Sequence, residues 1–255
     1  MDTGKHDIVD KPYLSTGFSA AEEQLGQLLR DAPIPVSELA ENSALFVSPR
    51  TIKRQFFFDE LYKLALPVHG IAMQFGVRWG RDLATLHALR TIYEPYNASR
   101  IIVGFDTFEG FPGVDARDGV SSQSHKGTLN VGKGYENFLQ EVFDQRRALD
   151  PLPQVARFEV HKGDASELLA RYLEAHPETI VALAHFDMDL YEPTRRCLEL
   201  LQPHLTRGSV LAFDELQSFV FPGETVAVRE VFGLGRIRLQ RSPQYSGHGS
   251  YFIVE

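Results

Sequence analysis

Val181-Ala-Leu-Ala-His-Phe-Asp187-Met-Asp189 and, about one crossover later, Ser209-Val-Leu-Ala-Phe-Asp214-Glu215 are the stretches that decide how this chain folds. Each opens as an apolar run too short for a helix, which reads as a buried strand of a parallel sheet. Each closes on acids, so Asp187, Asp189, Asp214 and Glu215 sit at strand carboxyl ends. If the two strands are neighbours, roughly 4.8 Å apart, the carboxylates converge above the sheet. They then repel one another unless a cation lies between them.

Outward from this pair the pattern alternates. The spacing predicts a strand over 68–75, a helix over 80–93, a strand over 100–105 and a long Gly/Ser-rich loop. A helix over 135–149, a strand over 157–161 and a helix over 165–176 follow, then the strand ending at Phe186, a helix ending near Leu201 and the strand ending at Phe213. Successive βα units of this kind predict a doubly wound parallel sheet with helices on both faces. A helix over 224–232 then precedes Arg236-Ile-Arg-Leu-Gln240 and Ser250-Tyr-Phe-Ile-Val254, which a turn-rich segment separates, so a closing antiparallel hairpin is expected.

On the amino-terminal side, residues 1–18 lack any period and read as a loose arm or a segment ordered by a ligand or partner. Ser19-Ala-Ala-Glu22 has the pattern of a capping box opening a helix to about Arg30, which Pro33-Ile-Pro35 ends. A second helix follows Pro49 and carries Ile52, Phe56, Leu61 and Leu64 at helical spacing. Phe56-Phe57-Phe58 is too apolar for one buried stripe, and reads either as core or as a subunit contact or substrate wall.

Composition bounds the function. With 255 residues, 43% of them hydrophobic, the chain can bury one sizeable core, residues 1–66 forming an arm and helices of the same domain as 67–255. A formal charge of -8, with no clustered Lys/Arg face, argues against a nucleic-acid partner. The lone Cys197 excludes an intramolecular disulfide and fits a reducing cytoplasm. No run of about 18 apolar residues occurs, so a soluble, cytoplasmic protein without a membrane partner is expected.

The first unit reads Ile71-Ala-Met-Gln-Phe-Gly76-Val-Arg-Trp-Gly80-Arg-Asp, a strand entering a glycine-spaced turn and then a helix. Gly76 and Gly80 would let the backbone approach a ligand, and the new helix offers unpaired N–H groups beneath it. Neither a GxGxxG spacing nor a P-loop lysine is present, so pyrophosphate binding is unsupported. The next strand ends Gly104-Phe-Asp106-Thr-Phe-Glu-Gly-Phe-Pro112, where Asp106 is placed to accept from ribose hydroxyls. Together these turns point to a nucleoside-type ligand. Asp164, after the third strand, either holds an adenine amine or caps the following helix.

Gln74-Phe-Gly-Val-x-x-Gly80, Asp106-Thr-Phe-Glu-Gly-Phe-Pro112, Phe186-Asp-Met-Asp-Leu-Tyr-Glu-Pro-Thr194 and Phe213-Asp214-Glu215 stand in the order and context of the macrocin O-methyltransferase (TylF/MycF) family, which the chain resembles from about Ile52 to Glu255. The resemblance implies a Rossmann-like class I fold of strand order 3-2-1-4-5-7-6. It also implies dependence on S-adenosylmethionine and on Mg²⁺ or another divalent cation, and methylation of a deoxysugar hydroxyl on a glycosylated antibiotic. It puts the cofactor against Gln74, Phe75, Gly76 and Gly80, with its ribose on Asp106. Thr107, Phe108 and, in the first of its two readings, Asp164 are further candidates for cofactor contact. It makes Asp187, Asp214 and Glu215 metal ligands, and implies a homodimer or higher oligomer built partly from the amino-terminal helices. Gln74 stands where the family usually has Glu, and Glu215 where it has Asp or Asn. Leu190 occupies the position at which the related catechol O-methyltransferases carry a lysine base.

That missing lysine leaves the base open. Asp187 and Asp189 are the candidate catalytic acids, with Asp189 a second support for the metal or the proton acceptor, and His125 and His248 on glycine-rich loops as alternatives. The loop over 107–133 is long enough to suggest a lid or substrate loop, where Phe108, Phe111 and Tyr191 pack against a sugar or aglycone or belong to the core. Two other functions share some of these features. Asp187-Met-Asp189 also looks like the metal-binding Asp-x-Asp of nucleotide-sugar glycosyltransferases, and a catalytically silent module could keep the cofactor pocket.

Overall fold

The computed structural model describes residues 16–155, 157–243 and 249–255. Five strands run parallel: β1 (Ile71–Phe75), β2 (Ile102–Asp106), β3 (Phe158–Lys162), β4 (Val181–Phe186) and β5 (Leu205–Phe213). The hairpin of β6 (Gln240–Arg241) and β7 (Ser250–Ile253) closes the sheet, with β7 antiparallel to β5, so the order is β3-β2-β1-β4-β5-β7-β6. The central strands are buried on both faces, which is why β1 and β4 read as continuous apolar runs.

Helices cover both faces. α3 (Pro49–Ala65), α4 (Arg81–Tyr93) and α5 (Tyr135–Ala148) place Phe57, Phe58, Leu83, Leu86, Leu139 and Phe143 against Ala72, Ile102 and Leu183. On the other face α6 (Ala165–Ala175), α7 (Tyr191–Leu201) and α8 (Gly223–Val231) place Leu169, Leu198 and Val228 against Met73, Phe75 and Phe186. Alternate residues of a strand thus feed opposite cores, as the pleat requires. Two further helices, α1 (Thr16–Arg30) and α2 (Val36–Leu39), precede α3.

On the second face the rings of His161, Phe105, Phe75, Phe186, Phe213 and Phe252 stack in sequence across β3, β2, β1, β4, β5 and β7, with centroids 5.3, 5.2, 4.7, 5.0 and 6.1 Å apart. Stacked pairs of this kind contribute about 0.5–1.5 kcal/mol each beyond their buried area. They also pin the register, because a slip of one residue would turn a ring to the other face. Phe75 lies opposite Phe105 and Phe186, and Phe186 opposite Phe213, so the parallel strands end level with one another. Whatever follows those phenylalanines is gathered along one edge.

The structure corrects several sequence expectations. α1 begins at Thr16, so Ser19 lies inside the helix rather than capping it. A 3-10 turn over Leu234–Arg236, entered through Gly233 at φ 72°, replaces the start of the expected edge strand and leaves β6 two residues long. Short edge strands limit unwanted pairing. α2 and the 3-10 turn Ser43–Phe46 are too short to register as a period. Of the three consecutive phenylalanines, Phe57 and Phe58 are core while Phe56 is 49% exposed. Of the arm expected over 1–18, residues 1–15 lie outside the described residues, as does His248, and residues 16–18 form the start of α1. No helix among the described residues is long and apolar enough to cross a membrane.

Candidate active site

At the ends of β1 and β2 one carboxylate organises the backbone. Asp106 Oδ2 accepts from the amides of Val77 (2.6 Å) and Arg78 (2.7 Å), and Oδ1 from that of Phe108 (2.5 Å). Arg78 and Phe108 hold φ at 49° and 56°, a left-handed conformation that costs a side-chain-bearing residue about 1–3 kcal/mol. Charge-assisted bonds to Asp106 offset that strain. Gly76, at φ 83°, lies so close to β4 that a Cβ there would land on the Asp187 carbonyl. Gly80, also left-handed, leads into α4, whose amino end has no side-chain cap. Gln74 is fully buried beneath this turn, with Nε2 donating to the Gly76 carbonyl (2.8 Å) and Oε1 facing His185 Nδ1 (3.0 Å).

The remaining residues expected near a cofactor are placed as follows. Thr107 Oγ1 donates to the Gly110 carbonyl at 2.8 Å. The rings of Phe75 and Phe108 are core. Asp164 caps α6, accepting from the amides of Ser166 and Glu167 at 3.0 Å.

The acid side is built differently. The Asp187 amide donates to the Phe75 carbonyl (2.8 Å) and that of Asp214 to the Phe186 carbonyl (3.0 Å), so both acids begin where β4 and β5 end. Between them lies Arg54 of α3, its side chain 6% exposed. Arg54 Nη2 donates to Asp187 Oδ2 (2.8 Å) and to Asp82 Oδ2 (2.7 Å), Nη1 to Asp214 Oδ1 (2.5 Å), and Nε to Asp82 Oδ1 (2.9 Å). Behind the pair, the fully buried Glu224 of α8 accepts from the amides of Met188 (3.2 Å), Asp189 (3.3 Å) and Glu215 (3.1 Å), tying both acid segments to one helix. Asp189 itself is buried and left-handed, at φ 64°. Asp118, in a 3-10 turn (Ala116–Asp118) of the long loop, accepts from the Tyr191 amide and so anchors that loop beside the acids.

The electrostatics record a surplus of negative charge. Burial first, then Asp214, raises the Asp187 carboxyl well above the usual range, with Arg54 opposing. Burial and the neighbouring Asp187, Glu215 and Glu224 do the same to Asp189. Glu215 is pushed up to about 7 by burial and Asp214. Burial would raise Asp82 too, but Arg54 and Arg81 hold it well below the carboxylate range. Arg54 and Arg81 together therefore satisfy Asp82, and the acids at the strand ends are left short of positive charge. Among the described residues no three His, Cys, Asp or Glu side chains stand as a set that could hold a metal ion.

Arg54, Asp82, Asp118, Gly223 and Glu224 escape the sequence reading. Arg54 alone left a signal: it lies three, four and seven residues before Phe57, Phe58 and Leu61, on the apolar face of α3, where a cation needs partners. Of the aromatic residues of the loop and α7, Phe111 packs with Leu190 and Phe221. Tyr191 is buried, its hydroxyl donating to Glu230 (2.5 Å) and its ring lying 3.5 Å from the Arg117 guanidinium. His125 is exposed, with Nδ1 3.1 Å from both the Ser122 carbonyl and Thr128 Oγ1.

A seven-stranded sheet of this order, carrying a glycine turn after β1, an acid after β2 and a carboxylate site after β4 and β5, is that of a Rossmann-like S-adenosylmethionine-dependent O-methyltransferase. Comparison with known proteins agrees. A family model described as a methyltransferase domain matches residues 79–216, more than half of the chain. A crystal structure of CalS11, calicheamicin methyltransferase, shares 42% sequence identity over 94% of each chain at a TM-score of 0.91. An apo structure of CalS11, there described as a TDP-rhamnose 3'-O-methyltransferase of calicheamicin biosynthesis, shares 39% identity over 94% of this chain and 96% of that one at 0.83. The O-methyltransferase NovP, 21% identical over 80% of each chain at 0.59, shares the fold. No curated protein matches the sequence. The chain belongs to the methyltransferase-domain family, and within it to the family of CalS11, which agrees with the resemblance carried by the motifs. The glycosyltransferase alternative is thereby set aside.

Proposed function

We propose that this enzyme methylates a hydroxyl of a deoxysugar carried by a glycosylated secondary metabolite of antibiotic biosynthesis. The observation that carries the reading is the adjacency of the bracketed glycine turn and the Asp187–Asp214 pair, joined where Gly76 meets the Asp187 carbonyl. S-adenosylmethionine suits the first by its chemistry and, when bound, supplies a methyl group on a sulfonium. Gln74, Phe75, Gly76 and Gly80 would hold its methionine end, Asp106, Thr107 and Phe108 its ribose, and Asp164 its adenine. The uncapped amino end of α4 suits a carboxylate, and the uncompensated acids suit a cationic sulfonium.

In the reaction a C–O bond forms as the S–C bond breaks and the hydroxyl proton leaves, so the protein's tasks are alignment, exclusion of water and capture of that proton. Without a bound ion Asp187 is the acceptor, since its side chain keeps 27% of its surface exposed and can meet a hydroxyl; with an ion on Asp187 the proton falls to Asp189, two residues on and buried. The raised proton affinity of Asp187 matches that task. A divalent ion belongs to the proposal. Asp187, Asp214 and Glu215 offer the hard oxygen donors that Mg²⁺ prefers, in a site with surplus negative charge. Bound there, such an ion would lower the pKa of the sugar hydroxyl. The likeness to a TDP-rhamnose 3'-O-methyltransferase supports a second reading of the acceptor, in which the sugar is methylated while still nucleotide-bound. Assembly into a homodimer or larger oligomer through α1–α3 is also part of the reading, supported by the exposed Phe56 and Leu45.

The test is incubation with S-adenosylmethionine and Mg²⁺, with TDP-rhamnose in one arm and glycosylated natural products in the other. A gain of one methyl group by mass in either arm supports the reading and chooses the acceptor. Cofactor binding with no methylated product in either arm would leave a silent binding module. Turnover that survives a chelator would remove the divalent ion from the account.

A further inference from the structure

Two arginines beside the acids have no carboxylate of their own. Arg78 lies in the turn after β1, its amide held by Asp106. Burial keeps its guanidinium below the ordinary range, with Asp187 and Asp189 opposing, which places that charge near the acids. Arg50 is in the first turn of α3, four residues before Arg54 and so on the same face of the helix. Arg78 Nε and Arg50 Nη1 are buried without an acceptor, and neither side chain makes an ion pair or hydrogen bond among the described residues. We propose that Arg78 and Arg50 form an oxyanion subsite for the diphosphate of the acceptor, so that the sugar is methylated while bound to a nucleotide. The inference rests on the methyltransferase reading above and chooses between its two acceptors.

The course of α3 sets Arg50 above the strand tips. The carbonyl of Ala65, at the end of that helix, accepts from Arg100, which also donates to the Gly70 carbonyl at the foot of β1. Arg54, nearer the amino end, meets Asp187 and Asp214 where β4 and β5 finish. Four residues more carry the helix about 6 Å further in the same direction, over the place where an acceptor meets the acids. The other two arginines here are already spent, Arg54 on Asp82, Asp187 and Asp214, and Arg81 on Asp82. A buried N–H without an acceptor is costly to keep, and the planar fork of a guanidinium matches phosphate oxygens. A neutral glycoside brings no anion to either arginine. A nucleotide sugar does, and its diphosphate begins at the anomeric oxygen, across the sugar ring from a hydroxyl held at Asp187. The carboxylate of the methyl donor has its own place at the uncapped amino end of α4.

Calorimetry with S-adenosylhomocysteine present compares TDP with thymidine, which lacks the phosphates. The wild type is expected to bind TDP and to leave thymidine unbound at the same concentration. Arg78→Gln and Arg50→Gln are each expected to weaken TDP about tenfold. Affinity for S-adenosylhomocysteine should hold, since residue 78 keeps the amide that Asp106 binds. The comparison of TDP with thymidine needs no variant, so it decides the matter if a substitution does not fold. TDP bound no better than thymidine, or bound equally by wild type and both variants, overturns the inference. A variant that loses S-adenosylhomocysteine in place of TDP also overturns it, making the arginine a holder of the donor's carboxylate. Methylation of a glycosylated natural product by an enzyme that ignores TDP overturns it while the methyltransferase reading stands. If no acceptor gains a methyl group, that reading falls and the inference with it.

Discussion

At the ends of β1 and β2 a single carboxylate, Asp106, takes three backbone amides from residues close to it in the fold, and the bonds are made by peptide groups that cannot leave. At the ends of β4 and β5 the Asp187 and Asp214 carboxylates are held by Arg54 of α3 and the backbone of their segments by Glu224 of α8, and the acids remain short of positive charge. The first arrangement is a rigid cradle, fit to position a donor that is the same in every turnover. The second stores electrostatic tension that a proton, a sulfonium or a metal ion relieves, and so is able to respond to each step. Both stand on one floor of stacked rings, which is why the difference between them lies in chemistry and not in architecture.

The contrast is tested most harshly by Asp187→Asn. It keeps the shape of the side chain and a partner for Arg54 but removes the carboxylate proposed as proton acceptor and metal ligand, so turnover is expected to fall about a thousandfold, roughly 4 kcal/mol in the barrier. Affinity for S-adenosylmethionine, read by calorimetry, should change little, because the cradle is untouched. A comparable loss of affinity would mean that the two sides are one unit.

The seam between them has its own pH signature. Gln74 offers its carbonyl oxygen to His185 because its amide nitrogen is spent on Gly76, so the imidazole donates from Nδ1 and its buried Nε2 has no partner. Burial, then Arg54, pushes His185 down to about 4. The unfolded chain gains this proton below about 6.5 while the native chain refuses it, so the stability present above 6.5 is lost as pH falls towards 4. The loss is about 3 kcal/mol from this group. The raised carboxylates act in the opposite sense over the same window, since they favour the native state as pH falls. Denaturant unfolding of the wild type should therefore be compared with His185→Asn, and a difference in stability that does not change between pH 7 and 4 would refute the assignment.

How far each region could be read beforehand follows from its chain separation. The helices on both faces and the positions of the acids at strand ends come from runs whose period is local, and Gly76, Gly80 and Asp106 are legible for the same reason, whereas the strand order came from the family resemblance. The acid side is assembled at a distance. Arg54 meets Asp214 across 160 residues, Asp118 meets Tyr191 across 73 and Glu224 meets Met188 across 36. Glu224 in isolation looks like an ordinary acid in the first turn of a helix, and Asp118 like a loop acid. Only Arg54, out of place on a phenylalanine face, carried a hint. Asp164 had two readings, and the contact made in the structure is the helix cap.

Gly223→Ala probes that distant assembly with one carbon. An added Cβ would strike the Tyr191 amide nitrogen and the Asp189 carbonyl, both backbone, and Asp118 Oδ1, so nothing nearby yields cheaply. A loss of about 2 kcal/mol in unfolding free energy is expected, with turnover reduced because Asp189 must shift. Gly235→Ala, where a Cβ meets nothing within 4 Å, is the control that should cost little. Equal behaviour of the two variants would show that α8 does not brace the acids.

The smallest effect is expected from Asp106→Asn. The asparagine keeps the volume but has one acceptor oxygen and an amide that donates, so at least one of the amides of Val77, Arg78 and Phe108 loses its acceptor. Because Arg78 and Phe108 are left-handed, the turn should relax away from the geometry that receives the donor. S-adenosylmethionine affinity is expected to weaken about tenfold, roughly 1.4 kcal/mol, while turnover at saturating donor stays within a few-fold, as judged by the split between KM and kcat. The reverse split, with kcat lowered and KM unchanged, would show that the Asp106 cradle serves the acids and not the cofactor, and the division drawn between the two sides would have to be abandoned.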